Sequence, residues 1–212
     1  MSHDFGPLYA VHDAVRRDLA RLVSLTGGTA SLRAGRASGL RAHWSQLTGV
    51  VLAHERAEDE VLWPALRQAV PAQESGPIDL VTEQHEALVA VIDAVRQGLE
   101  AEDAFTLPDA RERLAAASQR AAVLADHHFG LEERRLLPLV SAWLDPADWA
   151  AFVAAWRADP GPGGDAEVLP FVLEGAHPGR AAALVATLDE EGRQAYECLW
   201  RPAYKERVAA LW

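Results

Sequence analysis

The chain has 212 residues, half of them apolar, a formal charge of −11 and a single cysteine, Cys198. That length and apolar content suit one domain, or one domain with a substantial extension, and a core that needs no staples. One cysteine excludes an internal disulfide framework and fits a reducing compartment, and the acidic balance argues against nucleic acid or an anionic membrane as partner.

The opening "MSHDFGPLYAVHDAV" has no basic stretch followed by an apolar run, so no signal peptide is expected. No apolar run approaches the roughly 20 residues of a membrane span. A soluble, cytoplasmic protein is the expectation. Apolar residues recur at helical rather than strand spacing throughout. Leu8, Val11, Val15, Leu19 and Leu22 form a first stripe, closed by Gly27-Gly28. "TGGTASLRAGRASG" follows as a small-residue linker. A second stripe runs Leu47, Val51, His54, Glu58, Leu62, before "PAQESGP" breaks the chain. A third runs Val81, His85, Leu88, Ile92, Val95, Leu99 and stops near "EDAFTLPD". Asp109 is placed to cap a fourth helix, carrying Leu114, Ala117, Ala121, Leu124, His128, Glu132 and Leu136. Four amphipathic helices with modest connections predict an all-α, up-and-down four-helix bundle over residues 1–145. Beyond it, "LDPADWAAFVAAWRADPGPGGD", "AEVLPFVLEGA", "PGRAAALVATL" and "DEEGRQAYECLWRPAYKERVAALW" predict a helical extension over residues 146–212.

Within this pattern one sentence is written twice. "HERAEDEVLWPAL" from His54 and "HFGLEERRLLPLV" from His128 agree at the histidine, at Glu58 and Glu132 (+4), and in acidity at Asp59 and Glu133 (+5). They agree again at Leu62 and Leu136 (+8) and at Pro64 and Pro138 (+10). The repeat also reaches backward: His12 precedes His54 by 42 positions, and His85 precedes His128 by 43. The unit is therefore a helical hairpin with one histidine on its first helix and His-x-x-x-Glu on its second.

Residues four apart on a helix share a face, about 5–6 Å apart. Here that face is apolar, so four imidazoles and two carboxylates point inward, and unpartnered buried carboxylates are very costly. No arginine recurs on the inner stripes beside both sites. A pair of metal ions neutralises the acids and uses the imidazoles, and an imidazole–carboxylate set without thiolate suits iron or manganese.

These residues resemble the H…HxxxE…H…HxxxE signature of the hemerythrin-like (HHE cation-binding) family: His12, His54-x-x-x-Glu58, His85 and His128-x-x-x-Glu132. The continuations "EDEVLWPAL" and "EERRLLPLV" are similar to that family's, and the likeness covers roughly residues 5 to 143. The resemblance implies a four-helix bundle around two iron ions, oxo- or hydroxo-bridged. The four histidines would be terminal ligands and Glu58 and Glu132 the bridges, with no catalytic group beyond them. The small molecule implied is dioxygen, nitric oxide or hydrogen peroxide. Oxygen-carrying hemerythrins place a further histidine one turn from the ligand on the third helix, where this chain has Val81 and Val89. Two roughly octahedral ions then keep about two open positions rather than about one. That favours peroxide, nitric oxide or redox chemistry over oxygen carriage, unless water or a tyrosine (Tyr9, Tyr196 or Tyr204) closes the gap. A di-iron oxidoreductase of peroxidase, catalase-like or nitric-oxide-peroxidase type stands beside a non-enzymatic oxygen or iron sensor and a plain iron-binding protein. In the sensor reading "GPGGD" would be a hinge.

Other motifs carry less. "HERAE" lacks the second histidine of the HExxH zinc site. Cys198, with no adjacent histidine or basic cluster, reads as a buried thiol. His127 lies about 100° off the inner stripe. His43, some 16 Å along the axis from His54, reads as a bundle-end or surface residue. His3 and His177 read as exposed, and Trp143, Trp149 and Trp156 as packing residues. Pro64 and Pro138 predict a kink or an end in their helices.

Overall fold

The computed structural model describes residues 3–28, 34–101 and 107–212. Four long helical rods form the bundle: α1 (Gly6–Gly27), α2 (Ala34–Ala57) continuing into α3 (Trp63–Ala69), α4 (Gly76–Glu100), and α5 (Pro108–Leu131) continuing into α6 (Leu137–Trp143). Pro7, Pro77 and Pro108 stand in the first turns, where a missing N–H leaves no intrahelical bond unmade. The α5 helix starts on Pro108, so Asp109 sits in its first turn rather than at its cap. The α2 helix starts at Ala34, so Gly35–Gly39 are helical rather than linker, and the rest of that expected linker from residue 29 lies outside the described residues.

The helices run up and down, α1 against α5, α5 against α4, and α4 against α2. The inner stripes are the core: Leu8, Val11, Val15, Leu19, Leu47, Val51, Val81, Leu88, Val95, Leu114, Ala117 and Ala121 are all buried. Leu124 is only partly so, and Ala125 takes the inner position in its turn.

Both proline-bearing rods run on without ending. Each inserts a π-helical turn, Glu58–Leu62 and Glu132–Leu136, before its proline. Proline has no N–H and crowds the carbonyl four residues back, and a wider turn relieves that clash. The Trp63 N–H donates to the Glu58 carbonyl, and the Leu137 N–H to that of Glu132. The repeated Leu62 and Leu136 anchor these turns at zero exposure. A third such turn, Tyr196–Trp200, precedes Pro202, and there the Arg201 N–H donates to the Tyr196 carbonyl.

The C-terminal helices are α7 (Pro146–Ala158), α8 (Gly164–Leu173), α9 (Pro178–Val185), α10 (Glu190–Ala195) and α11 (Arg201–Ala209). The Asp145 carboxylate caps α7 through the Ala147 N–H. Among the bundle's neighbouring helices α1 and α2 meet least, and α8 lies against both. Phe171, Val172, Tyr204 and Val208 join the same apolar cluster as the bundle's inner stripes. The "GPGGD" turn rests on α2: Pro162 seats over Gly49, where a Cβ would meet its ring at 2.3 Å. Gly163 takes a φ of +79° there, a conformation glycine adopts without strain.

Candidate metal centre

The π turns put Glu58 and Glu132 in the middle of the bundle, and His12, His54 and His128 join them at zero exposure, with His85 at 4%. Two overlapping groups result. Glu58, His85, His128 and Glu132 form one, and His12, His54 and Glu132 the other, with one ligand atom of each residue in a group lying within 4.8 Å of the rest. Glu132 belongs to both. Its Oε1 lies 2.9 Å from His128 Nε2, while its Oε2 lies 3.0 Å from His12 Nε2. Glu58 is split likewise, Oε1 lying 3.4 Å from His54 Nε2 and Oε2 lying 3.6 Å from His85 Nε2. The Nε2 atoms of His12 and His54 are 3.2 Å apart.

The outer nitrogens of two imidazoles are braced crosswise. His12 Nδ1 lies 2.8 Å from Glu133 of the other hairpin, and His85 Nδ1 lies 2.9 Å from Asp59. The Arg16 guanidinium holds Glu133 in turn, at 2.6 Å. A carboxylate on Nδ1 fixes the tautomer that carries its proton there, leaving the Nε2 lone pair to face inward. Phe129 stacks on His12 at 4.2 Å between centroids, and Trp156 covers His54 at 5.7 Å.

Electrostatics reflect the crowding. Burial, reinforced by the charge of His12, holds His54 down at about 3. Burial pulls His85 down, but Asp59 and Glu132 lift it to about 9. Burial and repulsion from Glu132 push the Glu58 carboxyl well above the usual range. Burial would raise Glu132 too, yet the imidazoles of His128, His12 and His85 drive it well below that range.

These residues fit a pair of cations. All four oxygens of Glu58 and Glu132 are buried without a hydrogen-bond partner, as are His85 Nε2 and His128 Nε2. Several of these atoms approach one another to about 3 Å, yet none of those approaches has the geometry of a hydrogen bond. Among the described residues, no arginine or lysine comes within ion-pairing distance of either glutamate. Buried acids in that condition call for a metal.

A family model, the hemerythrin HHE cation-binding domain, matches residues 5–140. The chain belongs to this family. Comparisons with curated proteins and with solved structures give no match. The hemerythrin domain therefore accounts for the bundle as far as α6, and α7–α11 lie outside the match. No helix among the described residues is long and apolar enough to cross a membrane.

Around the hemerythrin centre, the six predicted inward residues come together. His127 is exposed, as the periodicity predicts, and exposed His177 caps α9 through the Gly179 N–H. On the third helix Val81 is buried and Val89 exposed. The tyrosines are occupied otherwise. Tyr204 donates to Glu174 at 3.1 Å, Tyr9 lies under the Arg180 guanidinium and Tyr196 under that of Arg201. Four readings need correction. Cys198 is exposed, on the π turn Tyr196–Trp200. Trp143, at the end of α6, is 46% exposed. His3 is half-buried, packed on Phe5 and Trp149. His43 is buried against Asp18 at 2.6 Å, since the C-terminal helices cover a bundle end that would otherwise meet water.

The bracing acids are the functional residues the sequence reading left without a role. Their signal was present as the shared acidity at +5. Their partners sit on the opposite hairpin, 26 and 121 positions away, where no helical periodicity reaches.

Proposed function

We propose that His12, His54, Glu58, His85, His128 and Glu132 would hold two iron ions, with the carboxylates of Glu58 and Glu132 shared between them. The centre would bind or turn over a small ligand: nitric oxide, dioxygen or peroxide. The observation that carries this is the sharing of Glu132 by two buried ligand groups, with every carboxylate oxygen unpartnered. When bound, two irons would supply a redox-active Lewis-acid pair for such a ligand. The chain supplies the rest. Asp59 and Glu133 hold the Nδ1 protons and aim two imidazoles inward. Phe129 and Trp156 screen His12 and His54 from water. The cytoplasm is the compartment that the lone thiol suits. Steady-state turnover of peroxide or nitric oxide by the iron-loaded chain, above that of equivalent free iron, tests the enzymatic reading. Turnover no faster than free iron rejects it.

A sensor is the second reading, favoured by one observation. The α7 helix packs on the π turn that carries Glu58, so losing the metal would loosen what the C-terminal helices rest on. Limited proteolysis with and without iron tests it: equal cleavage of residues 146–212 in both states counts against a sensor.

A further inference from the structure

A chamber of about 160 Å³ lies between the N-terminal end of α1 and helices α7, α8 and α9. Its wall is mainly apolar, built on the buried Val168 and Val172 with Leu184 opposite, and exposed Arg157 and Asp165 stand at its mouth. Apolar cavities of roughly 150 Å³ stay dry and take up xenon or benzene.

One wall of the chamber is Trp156. The same indole lies 5.7 Å from the ring of His54, and its Nε1 is buried without a hydrogen-bond partner. A single side chain therefore separates a solvent-reachable apolar space from a predicted ligand of the metal centre. We infer that this chamber binds an uncharged diatomic molecule, nitric oxide or dioxygen, and delivers it past Trp156 to the His54 side of the centre. The inference rests on the iron centre proposed above and narrows its ligand. Peroxide would give up most of its hydrogen bonds to water on passing from the Arg157 and Asp165 mouth into the apolar interior, whereas a diatomic gas gives up almost none. The segment beyond the hemerythrin match thus acquires a task, since every lining residue but Pro7 comes from it.

The test pairs a structural probe with a kinetic one on the full, iron-loaded chain. A crystal pressurised with xenon should show the gas in the chamber. Association of nitric oxide with the reduced protein should slow about tenfold in Leu184→Trp, which fills the space, and quicken by a similar factor in Trp156→Ala, which opens its inner wall. Thr187→Trp, at an exposed position on the rim, repeats the blockade without burdening the core. Iron content, measured beside each rate, separates the two levels of the account. A chain that takes up no iron overturns the centre and the route together. A chain that keeps its iron but shows no xenon in the chamber, or one nitric oxide rate across all variants, overturns the route alone.

Discussion

The carboxylate of Glu133 lies 2.8 Å from Nδ1 of His12, tying the rod that carries the second His-x-x-x-Glu motif to the first helix of the chain. Asp59 does the same for His85 from the other direction. Each hairpin thus orients the lone histidine of its partner, and the repeat is a reciprocal clamp rather than two independent half-sites. Removing either acid should cost about 10–100-fold in iron affinity while the helical content holds. Competitive chelator titration of Asp59→Ala and Glu133→Ala, with circular dichroism as control, checks this. Wild-type affinity in both would leave the acids as surface charges.

Glu132 belongs to both ligand groups. Glu132→Ala should therefore lose both ions, and His127→Ala, altering an exposed imidazole one residue from His128, should lose neither. Metal analysis after gel filtration distinguishes the two. Loss of iron from His127→Ala would displace the site from where the side chains now place it.

Away from the metal, Asp18 joins the bundle to the C-terminal helices. It pairs with His43 at 2.6 Å and with Arg17 and Arg21, and Arg21 grips Glu174 at the end of α8. Burial would raise the Asp18 carboxyl, but His43 and Arg17 outweigh it and hold it at about 2. A carboxyl depressed in the folded chain adds stability above its unfolded value, and that stability fades as pH falls toward the folded value. The contribution, about 2 kcal/mol, should be whole at neutral pH and lost between about pH 4 and 2. Denaturant unfolding of wild type and Asp18→Asn across that range should show a gap that closes in acid. A gap independent of pH would mean Asp18 acts by packing alone.

Gly49 gives a simpler stability test. A side chain there collides with Pro162, so the turn before α8 must lift from α2. Gly49→Val should lower stability by about 1–3 kcal/mol, as overpacking does, and leave iron content unchanged. Thermal unfolding with metal analysis measures both, and an unaltered melting temperature would mean the turn is not seated as described.

How much of this was legible follows from range. The ligand residues announced themselves because His-x-x-x-Glu on an apolar stripe is a statement about one helix face. His12 and His85 followed because the spacing to the second helix repeats. Pro64 and Pro138 were visible as disturbances, but whether a helix ends, kinks or widens depends on what holds its far side. Here buried Trp63 and Leu137, next to each proline, keep the rod continuous. His43 was misplaced because burial on the outside of a bundle is set by which later helix lies over it, here a contact with Tyr204, some 160 positions on, that no local pattern encodes. Cys198 was misplaced because it falls in a π turn, where ordinary helical spacing no longer tells which side faces inward.

The most direct measurement is an anomalous difference map at the iron absorption edge, from crystals of the chain loaded with excess iron. Two peaks are predicted, one among Glu58, His85, His128 and Glu132 and the other among His12, His54 and Glu132, with both glutamates between them. A lone peak, a signal only at the zinc edge, or the six side chains gathered around no peak would contradict the account.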